Sequence, residues 1–145
     1  MIVPDVNLLL YATNSSMPQH TRALHWMNTL FRGDEPIGFS WFVVVGFVRI
    51  ATNPRVYRAP MSVGDALAVV DGWLSQRLVS IIEPTPAHWE ILSTLLRESG
   101  TAGNLTNDAH LAALCIERGA TLHQVFDFAV TQQHGLTSLQ RILAF

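Results

Sequence analysis

Short apolar strands alternate with helix-length segments along this chain, and that alternation leaves few folds open. Ile2 to Pro4, Ile37 to Ser40, Leu78 to Ile82 and Thr121 to Val125 read as strands. The segments between them carry the three-to-four-residue apolar spacing of helices. Residues 7 to 13 form the first helix, ended by Asn14-Ser15-Ser16. Ser16 precedes a proline at the second helical position, which predicts a helix over 18 to 32, stopped at Gly33. Residues 41 to 53 are rich in β-branched side chains, but their length and the Asn53-Pro54 stop predict a helix. Ser62 opens another helix, with Asp65 at the capping-box position. Thr85-Pro86 opens a helix that stops at Gly100, and Thr106 or Asn107 caps the next, which ends at Glu117-Arg118-Gly119. The tail from Leu136 to Phe145 can add an edge strand. Strands separated by helices predict the α/β class, with a parallel sheet of four to five strands covered on both faces. A length of 145 residues suits one domain. In such sheets a site forms beyond the carboxyl ends of the strands.

Nearly half of the residues are apolar (49%) and only 14% are charged, so a partner chain or a second copy is expected to cover apolar surface. No apolar run reaches the ~18 residues of a membrane span. The opening MIVPDVN carries an acid and no basic segment, which argues against a secretory signal. The lone Cys115, in a helical pattern, reads as a small buried apolar residue, and a cytoplasmic location is expected. A net charge of −2 excludes a strongly basic nucleic-acid binder. All nine basic residues are arginine, a good phosphate fork wherever two or more gather.

Three carboxylates fall where elements begin or end. Asp5 follows the first strand, Asp108 lies in the first turn of the helix after Gly103-Asn104-Leu105, and Asp127 follows the strand at 121 to 125. If those strands neighbour one another, all three acids reach one rim, where they repel each other unless a cation joins them. Mg²⁺ or Mn²⁺ takes oxygen ligands of this kind. Each acid also has a plain structural use. Asp5 could cap residues 7 to 13, Asp108 suits the positive end of a helix, and Asp127 could cap residues 128 to 133.

The stretch PDVNLLLYA at 4 to 12 resembles the opening strand and helix of PIN-domain nucleases. SWFVVVGFVRIATNPRVYRAPMS at 40 to 62 and GTAGNLTNDAHLAALCIERGATL at 100 to 122 are similar to the VapC toxins of bacterial toxin–antitoxin systems. NDAHLAAL followed by ERGATL is the most specific match. The resemblance implies a three-layer α/β/α PIN-like domain, Mg²⁺-dependent cleavage of RNA (tRNA or another structured RNA), a VapB-type antitoxin and a homodimer. It implies that Asp5 and Asp108 are the catalytic acids and metal ligands, with Asn7 in support. Asn104 would orient a carboxylate or water, and Arg49 and Arg55 are candidates for RNA phosphate contacts. Two positions depart from the family pattern. Many relatives carry a glutamate where Gly46 stands here, and the acid expected before Asp127-Phe128 is replaced by Val125. Asp127 therefore matches the second acid of its motif and is a third ligand only in part. The two departures also open an alternative: a degenerate PIN domain that binds antitoxin or RNA without cutting.

Other chemistries find less support. His20, His25, His88, His110, His123 and His134 show no zinc-ligand spacing, and no nucleophile elbow appears. A phosphate-accepting signalling domain normally needs a lysine, and the chain has none. Trp26, Trp41, Trp73 and Trp89 fall on apolar helix faces and are expected in the core or at a dimer interface, not as base-stacking platforms.

Overall fold

The computed structural model describes residues 1–100, 102–103 and 105–123. Four strands and six helices run in the order β1 (Ile2–Pro4), α1 (Val6–Thr13), α2 (His20–Arg32), β2 (Ile37–Ser40), α3 (Trp41–Ala51), α4 (Val63–Leu74), β3 (Val79–Ile82), α5 (His88–Ser99), α6 (Leu105–Arg118) and β4 (Thr121–His123). The strands form one parallel sheet in the order β3-β2-β1-β4, flanked by helices, a three-layer α/β/α arrangement. Ile2 registers with Ile37 on one side and with Thr121 on the other. The chain steps outward from β1 to β3 and then returns to the far side of β1. The edge between β1 and β4 is thus the switch point at which such sheets open a crevice.

The core explains why these segments settle as they do. β2 is buried along its whole length, and Phe39, Phe47, Ile37, Leu8, Leu9, Leu111 and Leu114 are enclosed. Phe47 of α3 meets the edge of Trp73 of α4 at 4.7 Å between ring centres, and Phe39 of β2 stacks on the same indole at 5.9 Å. One tryptophan so ties two helices to the sheet. The Ser62 capping box forms as expected, with the Asp65 N–H donating to Ser62 Oγ at 3.1 Å. Gly100 ends α5 in the left-handed conformation, which costs glycine little. Cys115 is buried, and that burial pushes its thiol up to about 12.

Three helix starts differ from the sequence expectation. α2 begins at His20 and not at Pro18, because the side chain of Asn14 accepts from both the N–H and the hydroxyl of Ser16. That turn keeps Ser16 in a loop ahead of the helix. α5 begins at His88: Thr85 Oγ1 donates to Glu117 and accepts from the Ala87 N–H at 3.2 Å, so the turn that it closes precedes the helix. α6 begins at Leu105, which places Thr106 and Asn107 inside its first turn. Among the described residues no helix is long and apolar enough to cross a membrane.

Candidate metal and nucleic-acid cleft

Asp5 sits at the carboxyl end of β1 because the strand is only three residues long and the chain turns at once into α1. Its N–H donates to the carbonyl of His123 in β4, which extends the ladder to the rim. It is 6% exposed, and each of its carboxylate oxygens accepts one hydrogen bond. Oδ1 accepts from the Val6 N–H at 2.6 Å, and Oδ2 accepts from the Asn7 amide at 3.0 Å. Asp5 is therefore a helix cap as well as a rim carboxylate. Asn7 lies against it through that bond.

Asp108 approaches from the first turn of α6. Asp5, Asn7, Asn107 and Asp108 line one cleft of about 430 Å³, together with Phe42, Gly46 and Arg49 of α3. The electrostatics register the meeting of the two acids. Burial raises the Asp5 carboxyl above its usual range, against the lowering pull of the Val6 and Asn7 hydrogen bonds. Burial also raises Asp108, and the charge of Asp5 raises it further. A buried carboxylate with a second one set against it suits an added divalent cation, which would bring both back down.

The other expected site residues divide. Arg49 lines the cleft. Arg55 lies in the turn after α3, where its N–H donates to Asn53 Oδ1, and is not among the residues lining the cleft. Asn104, Val125 and Asp127 lie outside the described residues, as does the expected edge strand in the tail. Gly46 faces the cleft, and a Cβ placed on it would meet Val6 Cγ2 at 3.5 Å, an ordinary contact. The place where the family resemblance leads one to expect an acid is thus open. Among the described residues no group of three histidine, cysteine, aspartate or glutamate side chains is disposed to hold a metal ion. What the described residues supply is a two-carboxylate set.

One polar cluster escaped the sequence reading. Glu117 side chain, 1% exposed, accepts from the N–H and the hydroxyl of Thr85 and from His88 Nδ1, at 3.2, 2.6 and 3.1 Å. His88 Nε2 in turn lies 2.9 Å from His110 Nδ1. In the sequence Glu117 is only a helix-stop residue, and the histidines are 22 positions apart, a separation that no helical period could flag. The tryptophans also divide. Trp73 is buried, whereas Trp41 is 49% and Trp89 72% exposed, so neither of the latter belongs to the core.

In the absence of divalent cations, Asp108→Asn is expected to melt higher than the parent at pH 7, by roughly 2–5 °C. With its pKa raised on folding, Asp108 binds more protons in the native than in the unfolded chain from pH 3.8 upward. Stability therefore falls as pH rises through that window, and the variant should lose part of the slope. Thermal melts between pH 4 and pH 8 in a chelating buffer measure it; an equal slope in both proteins would refute the assignment.

The model of the PIN domain matches residues 2–131. Ribonuclease VapC33 of Mycobacterium tuberculosis is 46% identical over 85% of this chain and 86% of its own length. Ribonuclease VapC37 of the same species is 37% identical over 84% of this chain and 85% of its own. Among solved structures, VapC20 of Mycobacterium tuberculosis, a sarcin-ricin-loop-cleaving toxin, superposes with a TM-score of 0.62 at 16% identity. It covers 91% of this chain and 95% of that one, and likeness at this identity concerns the fold. VapBC2 of Rickettsia felis, solved on a DNA fragment from its promoter, superposes at 0.57 with 20% identity over 89% and 92%.

Proposed function

The chain belongs to the PIN-domain family, among the VapC-like toxin–antitoxin proteins, and from that premise we propose that its cleft engages RNA with an acid-poor metal set. In this reading it binds RNA, or a VapB-type antitoxin, more readily than it cuts. The observation that carries it is the pair Asp5 and Asp108 in a cleft where Gly46 stands in place of a third acid. Mg²⁺ keeps several waters and is commonly held by one or two carboxylates together with substrate phosphates. Asp5 and Asp108 would hold such an ion weakly alone and better when RNA supplies a phosphate oxygen. Arg49, on the same cleft, is the arginine placed to add a phosphate contact there.

A second reading is favoured by the mutual repulsion of Asp5 and Asp108 and by the ribonuclease names of the relatives. It makes the protein an Mg²⁺- or Mn²⁺-dependent endoribonuclease that hydrolyses phosphodiester bonds in tRNA or another structured RNA. A bound ion would supply charge stabilisation to the attack of water on phosphorus. The chain's own part is to fix Asp5 through Val6 and Asn7, and to hold RNA against α3. Either reading calls for a cytoplasmic protein and a partner on α3 and α4, where Trp41, Val45, Val63 and Leu67 are exposed. A VapB-type antitoxin and a second copy of the chain are the partners proposed there.

Incubation with total tRNA and Mg²⁺ or Mn²⁺ separates the readings. The natural chain is compared with Asp5→Asn/Asp108→Asn and with Gly46→Glu. The first reading expects tRNA binding without cutting, and a Gly46→Glu variant that binds Mn²⁺ at least ~10-fold more tightly by calorimetry. Cleavage by the natural chain that the double variant loses would replace the first reading with the second. Neither binding nor cleavage would remove both.

A further inference from the structure

The seam along which α1 packs on α3 does not end at the metal cleft. Val6 and Asn7 of α1 line the cleft, and Leu10 and Thr13 of the same helix line a second recess of about 170 Å³. Residues three and four apart share a helix face, so one stripe of α1 serves both. On α3, Ile50 lines the cleft and Ala51, its neighbour, lines the recess. From Val6 to Thr13 the helix rises about 10 Å. The segment between α3 and α4 completes the recess through Tyr57, Ala59 and Met61. Leu10, Ala51 and Met61 give it an apolar wall, and Thr13 and Asn14 give it a polar edge.

Unpaired positive charge gathers along the same seam. From Pro36 to Gly64 the sequence holds three arginines, Arg49, Arg55 and Arg58, and no acid, although the whole chain has a net charge of −2. Arg49 lines the metal cleft, and Arg58 stands between Tyr57 and Ala59, which both line the recess. Among the described residues none of the three pairs with a carboxylate, whereas Arg77 reaches Asp34 at 3.8 Å. Arg55 and Arg58 are both exposed. The backbone beneath them is held in place. The Arg55 N–H donates to Asn53 Oδ1, the Tyr57 N–H to the Asn53 carbonyl and the Met61 N–H to the Ala51 carbonyl, at 2.9, 3.1 and 2.9 Å. Two guanidiniums are thus presented from an ordered turn, so a ligand that meets them orders side chains and little backbone.

We propose that the recess and the turn bearing Arg55 and Arg58 form a second nucleotide subsite, which holds single-stranded RNA a few nucleotides from the phosphate at Asp5 and Asp108. An unstacked base enters the recess against its apolar wall, and the two guanidiniums fork onto the phosphates beside it. Arg49, on the cleft side, continues the same line of charge. A duplex keeps its bases stacked and cannot fill the recess, so the track selects a loop or an end. The proposal rests on the RNA reading of the cleft and adds a substrate class to it: an unpaired stretch long enough to reach both sites.

Fluorescence anisotropy with a single-stranded oligo(rA) 12-mer tests it, with Ca²⁺ in place of Mg²⁺. Arg55→Gln/Arg58→Gln should weaken binding roughly tenfold and flatten the slope of log affinity against log salt by about 1.4, the share of two phosphates on a single strand. Arg55→Lys/Arg58→Lys keeps both charges and should recover most of that slope. Ala59→Trp fills the recess from an exposed position and leaves the arginines in place. It should weaken the 12-mer about fivefold with the salt slope unchanged. The same 12-mer annealed to oligo(rU) should bind the natural chain at least ~5-fold more weakly than the single strand. Thermal melts confirm that each variant is folded, and Mn²⁺ calorimetry should match the natural chain in all of them. RNA binding by the natural chain that none of the variants alters, or that is as tight for the duplex, overturns the subsite and leaves the RNA reading standing. Loss of a 12-residue oligo-glutamate peptide from Arg55→Gln/Arg58→Gln with RNA binding intact also overturns it, in favour of an acidic protein partner. No RNA binding by the natural chain overturns the RNA reading itself.

Discussion

Glu117→Ala is expected to lower stability by about 3 kcal/mol at pH 7, enough to remove a large share of the ~5–15 kcal/mol typical of a domain. The side chain is enclosed and accepts three hydrogen bonds from the loop before α5 and from its first residue. Truncation leaves the Thr85 N–H and hydroxyl and a ring nitrogen of His88 unpaired near the end of α6. Each orphaned buried donor costs roughly 1–3 kcal/mol, and water entering the vacated space recovers part of it. The acid's pKa is lowered on folding, so its stabilisation is present above the unfolded value of 4.5 and is lost as pH falls below it. Glu117→Gln should therefore fall less than the parent when urea unfolding at pH 6 is compared with pH 3.5. Equal losses in the two proteins would show that Glu117 does not carry the acid sensitivity. Asp5 and Asp108 act in the opposite sense over an overlapping range, since their pKa values are raised. A triple variant that also carries Asp5→Asn and Asp108→Asn isolates the Glu117 contribution.

Phe47→Ala should cost about 3–5 kcal/mol, the range for removing an enclosed phenylalanine. Phe47 is fully buried and holds Trp73 edge-on, while Trp73 stacks on Phe39 of the central strand. The vacancy would open where α3, α4 and the sheet meet, and three rigid elements cannot all close on it. The expected result is a urea midpoint lowered by more than 1 M, with the slope unchanged, taking ~1–3 kcal/mol per molar for the slope. Phe47→Leu, which keeps most of the volume, should recover at least half of the loss. A drop under ~1 kcal/mol for the alanine variant would mean that α3 shifts to fill the gap.

How far the fold could be read in advance depended on the range of the interaction. The four described strands, the parallel sheet and the Ser62 capping box rest on local periodicity and on side chains three residues apart, and these are written in contiguous sequence. The starts of α2 and α5 were misplaced because a local turn precedes each helix, held by Asn14 before α2 and by Thr85, itself bonded to Glu117 32 residues away, before α5. The cleft was legible in part. Asp5 and Asp108 each follow a strand or open a helix at the same rim, and Asn7 lies two positions from the acid it supports. Arg55 was not placed by the same logic, since a basic residue near a motif carries no information on which way its turn faces. The Glu117–His88–His110 chain was invisible because the packing of α5 on α6 brings it together, and no residue of it stands out alone.

Asp5 and Asp108 differ in what each would tell a comparison of relatives. Asp5 caps α1 through Val6 and is gripped by Asn7, so a chain that had abandoned chemistry would still be selected to keep an aspartate or asparagine there for folding. Asp108 accepts no hydrogen bond among the described residues, and its proximity to Asp5 sets it against its own ionisation. The carboxylate with the weaker structural tie is therefore the better record of what the protein has been kept to do.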